Sequence, residues 1–289
     1  MQRCVDRSNY FEERKELLRS STENFRREGR PDRLIEPELV SLRQTVPMPI
    51  DTATVPGRQR PRVIAHRGAS STHQENTLDA FRAAGELGAD GIELDVRRSA
   101  DNVLVIHHDA QLSDGRLIYE LNADQLPSYV PTLVEALDAS GDLWVNIEIK
   151  NHPGDADYDE EMGISLGVAA LVSAFDIAGR VLISSFDFES VLRIREVDGS
   201  IPIGWLVWGQ ANPAMLIARA KAHNFDAIHP HDAMVDASFV RMAHEANLAV
   251  NVWTVDDPSR IEALTKLGVD GIVTNSPAVG AKAVAEALS

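Results

Sequence analysis

The chain has 289 residues, 44% of them hydrophobic, and a formal net charge of −16. That composition supports a sizeable core and excludes a disordered or fibrous protein, and a single cysteine, Cys4, excludes a disulfide framework. The charge is uneven, with 12 basic against 10 acidic residues in 1–60 but 16 against 34 in the rest, so the acidic body argues against nucleic acid or an anionic membrane as a partner.

Residues 1–60 read as a polar, loosely packed N-terminal extension. Tyr10 to Arg30 is rich in Glu, Arg and Leu and suits a polar helix; Pro31, Pro37, Pro47, Pro49 and Pro56 then follow among few large apolar residues. No apolar stretch resembles a secretory signal, and the longest one, around Gly167 to Phe175, is too short to span a bilayer. The expectation is a cytoplasmic protein with no stable membrane insertion. Its oligomeric state is not legible.

From residue 61 to 289 short runs of Val, Ile, Leu and Ala alternate with segments of helical period. The predicted strands are 62–66, 91–96, 103–107, 143–149, 181–185, 201–207, 226–229, 249–254 and 271–274. The predicted helices are 76–88, 131–139, 159–177, 187–198, 211–223, 235–247, 257–267 and 276–288. Asp187 and Asp236 stand where N-caps belong, and Gly88, Gly199 and Gly268 where helices end. Nearly continuous apolar strands alternating with helices predict a parallel sheet covered on both faces. An eight-stranded (β/α)₈ TIM barrel fits best, with a doubly wound open sheet as the alternative. Nine strands are one too many. The join from Arg97 to Asn102 is too short for a helical crossover, so it is either a stretched crossover or a local hairpin. A hairpin centred near residue 100 would set Glu93 opposite His108.

The chemistry concentrates in residues 62–109. Glu93 and Asp95 are two apart on one strand and share a face, and Glu148 lies on another strand two residues before Lys150. Three converging carboxylates make an all-oxygen site suited to one divalent cation, Ca²⁺ or Mg²⁺; without one, an acid would have to take a proton. The bland reading is a set of surface acids at strand ends. His66 and His108 each end a strand, a pair suited to acid and base roles near neutral pH. Either alone is as well explained as a hydrogen-bonded core histidine. His107 should point away from its neighbour. His73, His152, His229 and His231 stay unassigned, the last two as candidates to line the same mouth. Arg67 and Lys150 suit phosphate contacts, or equally a structural ion pair with the acids. Trp253 is either an apolar wall of the site or simply core.

These residues fall in motifs that resemble the glycerophosphodiester phosphodiesterase family. The motifs are HRG at 66–68, ENT at 75–77, GIELD at 91–95, HHD at 107–109, PTLVEAL at 131–137, IEIK at 147–150, VWTVD at 252–256 and GVDGIVTNSP at 268–277. The resemblance implies a phospholipase-C-like barrel with a short or absent insertion after the third strand, and a catalytic domain over 61–289. It implies metal-dependent hydrolysis of a small-molecule glycerophosphodiester to glycerol 3-phosphate and an alcohol. His66 and His108 would be the acid–base pair, Glu93, Asp95 and Glu148 the metal ligands, Arg67 and Lys150 the phosphate contacts, and Trp253 the wall on the glycerol side. The family's course implies attack by the glycerol 2-hydroxyl, then opening of a cyclic phosphate by water.

The pattern departs at Gln74, where a proline usually precedes ENT, and at Asn275, where an acid is common. Pro131 also comes only 22 positions after Asp109, where many members carry a larger subdomain. Rival readings are a metal-independent lyase of the phosphatidylinositol-cleaving type, a lysophospholipase-D-like activity, and a non-catalytic phosphodiester-binding domain.

Overall fold

Helix starts are written into this chain by side chains that accept the first free amide protons. Thr77 accepts from Ala80 N, Thr132 forms a capping box with Glu135, and Asp187, Asn212, Asp236 and Asp257 accept from residues two or three ahead. Pro213, Pro258 and Pro277 open the first turns that follow, where their missing N–H costs nothing. Gly268 ends its helix at φ +82° and Gly88 follows Leu87 at φ +86°, as expected of left-handed stops. Gly199 does not act this way: Asp198 in extended backbone ends that helix, and Gly199 has no positive φ.

The computed structural model describes residues 60–289. The expected N-terminal extension therefore lies outside the described residues, apart from Arg60. The order is β1 (Arg62–Ala65), α1 (Leu78–Glu86), β2 (Gly91–Arg98), β3 (Leu104–Ile106), α2 (Leu133–Ala139), β4 (Trp144–Ile149), α3 (Gly163–Phe175) and β5 (Val181–Ser185). It continues with α4 (Phe188–Val197), β6 (Ile203–Val207), α5 (Pro213–Ala222), β7 (Ala227–Pro230), α6 (Ala237–Glu245), β8 (Ala249–Val252), α7 (Pro258–Leu267), β9 (Gly271–Thr274) and α8 (Pro277–Leu288).

Each of β1, β2 and β4 to β9 pairs in parallel with its neighbours, and β1 pairs with both β2 and β9, so eight strands close into a (β/α)₈ barrel. Ile64, Trp144, Leu182, Ala227, Ala249 and Val273 meet in one buried cluster drawn from six strands, which marks the barrel interior. On β4, Trp144, Asn146 and Glu148 alternate onto that inner face, while Val145, Ile147 and Ile149 are buried on the other.

The ninth strand is the hairpin. β3 runs antiparallel to β2 with Val96 opposite Ile106, and Ser99 N donates to Val103 O to close a three-residue loop in which Asn102 takes φ +64°. The register is one residue off the expected one. His107 N donates to Asp95 O, so Glu93 does not lie opposite His108. A three-residue loop ending in a left-handed Asn moves the centre of the hairpin from residue 100 to 101. From Asp109 to Pro131 the chain makes two short 3₁₀ turns over a small cluster of Leu112, Ile118 and Val130 with Val105, the short insertion expected there.

Candidate active site

β1 delivers His66, Arg67 and Gly68 to the end of the barrel where the parallel strands finish. His66 N donates to Thr274 O at 2.9 Å, and then the chain turns sharply away. The turn needs positive φ at Arg67 (56°) and Gly68 (79°), and a Cβ on Gly68 would lie 2.7 Å from the backbone carbon of Ala80. The unusual conformation of Arg67 aims its N–H at Glu93 Oε2, 2.9 Å away.

Glu93, Asp95 and Glu148 are all buried, and one oxygen from each lies within 4.8 Å of the others. Strand register does this: Asp95 is paired with Glu148 across β2 and β4, and Glu93 lies two residues before Asp95 on the same face. Two cations brace them. Lys150 Nζ is 2.5 Å from Glu148 Oε1 and 3.0 Å from Asp95 Oδ1, and Arg67 Nε is 3.3 Å from Asp95 Oδ2. Asn76, held at φ +58°, donates from Nδ2 to Asp95 Oδ2 at 2.7 Å.

Two cations among three buried acids leave the charges unequal. Burial opposes the charge of Asp95, but Lys150 first, then Arg67, hold its carboxyl well below the ordinary range. Burial, with Asp95 and Glu148 beside it, pushes Glu93 well above that range. Burial likewise raises Glu148, against the pull of Lys150. Glu93 Oε1 is buried with no hydrogen-bond partner. Hard oxygen donors, one of them unsatisfied, fit a divalent cation such as Ca²⁺ or Mg²⁺, which takes carboxylate ligands and removes the need for Glu93 to hold a proton.

The hairpin brings the second histidine back. Because β3 is antiparallel, its end descends toward the mouth that β2 has overshot. Beyond Ile106 the strand alternation stops, and it is His108 whose charge is felt by Asp95. His108 Nδ1 lies 2.7 Å from Asp109 Oδ1. Its backbone is held by Arg97, a buried residue whose Nε donates to His108 O at 2.9 Å and whose Nη1 reaches both carboxylate oxygens of Asp157 at 2.7 Å. Burial lowers the His108 pKa, as does Lys150. Burial, then Arg67, lowers that of His66. His66 Nδ1 lies 2.7 Å from Asn275 Oδ1.

A cavity of about 1270 Å³ opens over this cluster, with Glu148, Lys150 and His108 in its lining and Trp253, Phe186 and Trp208 as aromatic walls. His66 does not line it; it stands beside the acids, close enough to feel Asp95 and Glu148. Trp253 is pinned by Nε1 to His229 O at 2.8 Å and packs edge-on against Phe186.

The structure thus gathers His66, Arg67, Glu93, Asp95, His108, Glu148, Lys150 and Trp253 at one end of the barrel. His229 is different. It is on β7, two residues after the interior Ala227, so its ring points into the barrel core, 1% exposed and 2.9 Å from Asn251 Nδ2. Burial lowers its pKa to about 3. His231 accepts from Ala233 N at 3.2 Å, packs edge-on against Trp253, and is not part of the cavity lining. Asn76, Arg97, Asp109 and Asn275 were not singled out for a role. The ENT, HHD and GVDGIVTNSP motifs contain three of them, but Arg97 carries no local signal.

Comparison with known proteins agrees with this geometry. A profile of the glycerophosphoryl diester phosphodiesterase family matches residues 66–279. The chain is 32% identical over 236 residues to a glycerophosphodiester phosphodiesterase of Caldanaerobacter subterraneus, covering 74% of this chain and 94% of that protein. An Oleispira antarctica phosphodiesterase, solved in complex with the product sn-glycerol-3-phosphate, superposes with a TM-score of 0.68 at 27% identity, covering 78% of this chain and 97% of that one. A Silicibacter pomeroyi structure, at a TM-score of 0.72 and 24% identity over 81% and 96% of the two chains, shares the fold.

Proposed function

The chain belongs to the glycerophosphoryl diester phosphodiesterase family and is a phosphoric diester hydrolase, and from that premise we propose a metal-dependent reaction with two histidines as acid and base. The substrate is a small glycerophosphodiester, and the products are glycerol 3-phosphate and an alcohol. Glu93, Asp95 and Glu148 hold one divalent cation, Ca²⁺ or Mg²⁺. When bound, that ion polarises a non-bridging phosphate oxygen and offsets the charge that develops. Arg67 and Lys150 bind the phosphate, and Trp253 forms the wall against the glycerol. Of His66 and His108, one removes the proton of the attacking hydroxyl and the other returns a proton to the leaving oxygen. We place all of this chemistry in residues 61–289.

The observation that carries the reading is the meeting of three buried carboxylates with the two histidines and two cations at one barrel mouth. The test is a panel of glycerophosphodiesters assayed for glycerol 3-phosphate with Ca²⁺, with Mg²⁺ and after chelation. Loss of either histidine, as His66→Ala or His108→Ala, is expected to cut turnover by about 10²–10⁴-fold with the fold intact. Near-normal rates in either variant remove that residue from the mechanism, and full activity after chelation rejects the metal.

A further inference from the structure

We propose that Asn275 and Asp256 fix the orientation and tautomer of His66, keeping its proton on Nδ1 and leaving Nε2 as the nitrogen that can accept one. The proposal rests on the reading of His66 as a catalytic residue.

Asp256 decides which way the Asn275 amide faces. Its Oδ1 accepts from Thr274 Oγ1 and from Asn275 N, each at 2.8 Å, and its Oδ2 lies 2.6 Å from Asn275 Nδ2. A carboxylate only accepts, so the end of the amide that meets it must be the NH₂. The other end is then the carbonyl oxygen, and that oxygen lies 2.7 Å from His66 Nδ1. A carbonyl oxygen has no hydrogen to give, so the hydrogen in this contact belongs to the ring. A neutral imidazole has one N–H, and Nε2 is left with its lone pair.

The remaining neighbour fits this order. Ser70 Oγ lies 2.8 Å from His66 O and 3.0 Å from Asn275 Oδ1, so its single proton meets an acceptor on either side. The amide also explains why an acid is dispensable at position 275. A carboxylate there would face Asp256 at hydrogen-bond distance, and one of the two would have to be protonated. With Asn275 the negative charge sits one residue farther from the ring, and the ring keeps an acceptor that favours imidazolium less than a carboxylate in contact with it would. His108 differs, because its Nδ1 partner is the carboxylate of Asp109.

Asp256 is neither one of the three acids nor part of the cavity lining. Yet Asp256→Asn should act at the ring. The new amide keeps its oxygen toward Thr274 Oγ1 and Asn275 N and presents NH₂ where a carboxylate oxygen was. Asn275 then turns its oxygen to that NH₂ and its own NH₂ to His66 Nδ1. That nitrogen must now accept, and the proton moves to Nε2.

The experiment is nitrogen NMR of the imidazole rings in isotope-labelled full-length protein, above neutral pH, beside steady-state kinetics and a melting curve. His66 is expected with its proton on Nδ1 in the native protein and in Asp256→Glu. In Asp256→Asn it is expected on Nε2, and in Asn275→Ala the two tautomers should mix. Turnover in Asp256→Asn should fall by about 10²–10⁴-fold, the share that a general acid or base supplies, with KM nearly unchanged. A native His66 protonated on Nε2, or an Asp256→Asn variant with the native tautomer, overturns the proposal. If the tautomers behave as expected while His66→Ala turns over normally, the hydrogen-bond series stands and the catalytic reading of His66 fails instead.

Discussion

Arg97→Ala tests how the second histidine is held in place. Arg97 is 4% exposed, and its guanidinium joins three things: His108 O, both oxygens of Asp157, and Asp155 Oδ2 at 3.2 Å. Truncation strands the Asp157 carboxylate, whose side chain is only 7% exposed. Removing one partner of a buried ion pair costs about 3–5 kcal/mol, because the other charge stays desolvated. Here the lower end applies, since Asp155 is already 32% exposed and its loop can swing Asp157 into water. A loss of about 3 kcal/mol in a domain of this size lowers Tm by roughly 6–12 °C.

The same truncation removes the Arg97 Nε bond to His108 O and so releases the backbone of His108. A displacement of about 1 Å at a reacting group can cost about 10²-fold in rate, so kcat should fall by that order while KM changes less. Thermal unfolding and steady-state turnover of Arg97→Ala, Asp157→Asn and the double variant measure both effects. The double variant should recover part of the stability, since it no longer buries a lone charge, but none of the turnover. An Arg97→Ala protein that melts within about 2 °C of the native one at these per-kcal shifts, or keeps its native kcat, refutes the reasoning.

Ca²⁺ or Mg²⁺ at about 100 times its Kd should stabilise the protein by about 2.7 kcal/mol, and Glu93→Gln should abolish most of that gain; calorimetry with and without ion measures both. His229 is neutral in the folded state, with its pKa lowered to about 3 against an unfolded value of 6.5, so the unfolded chain binds the extra proton. Stability from this group is therefore full above about pH 6.5 and is lost as pH falls toward 3, to a ceiling of about 5 kcal/mol. In His229→Gln the acid branch of a urea-denaturation series should be shallower by about one proton. Gly68→Ala places a methyl 2.7 Å from the Ala80 backbone at φ +79° and should cost at least about 3 kcal/mol, whereas Gly179→Ala meets nothing within 4 Å and should melt like the native protein.

The sequence by itself determined the strand and helix order, the caps at Asp187 and Asp236, and the residues that gather at the mouth. These depend on neighbours in the chain: apolar periodicity, an Asp one turn before its amide, two acids two residues apart on one strand. The barrel followed from their alternation. The HRG, GIELD and IEIK segments could be read because each places its charged residues by its own strand geometry.

Tertiary structure decided what depends on partners far along the chain. The register of the β2–β3 hairpin turned on one left-handed Asn, and with it the route by which His108 returns to the acids. His229, unassigned in the sequence and only a candidate for the mouth, is core, because only closure of the barrel shows which face of β7 is inside. Arg97 carries no signal in the sequence, because its partners come together only when the hairpin and the loop after β4 close around it. Asn275 looked like a missing acid, and became the acceptor of His66, 209 positions away, only when β9 came to lie beside β1. Local propensity acts through the covalent chain and survives in the sequence; a hydrogen bond between residues that follow the first and last strands exists only once the barrel has closed.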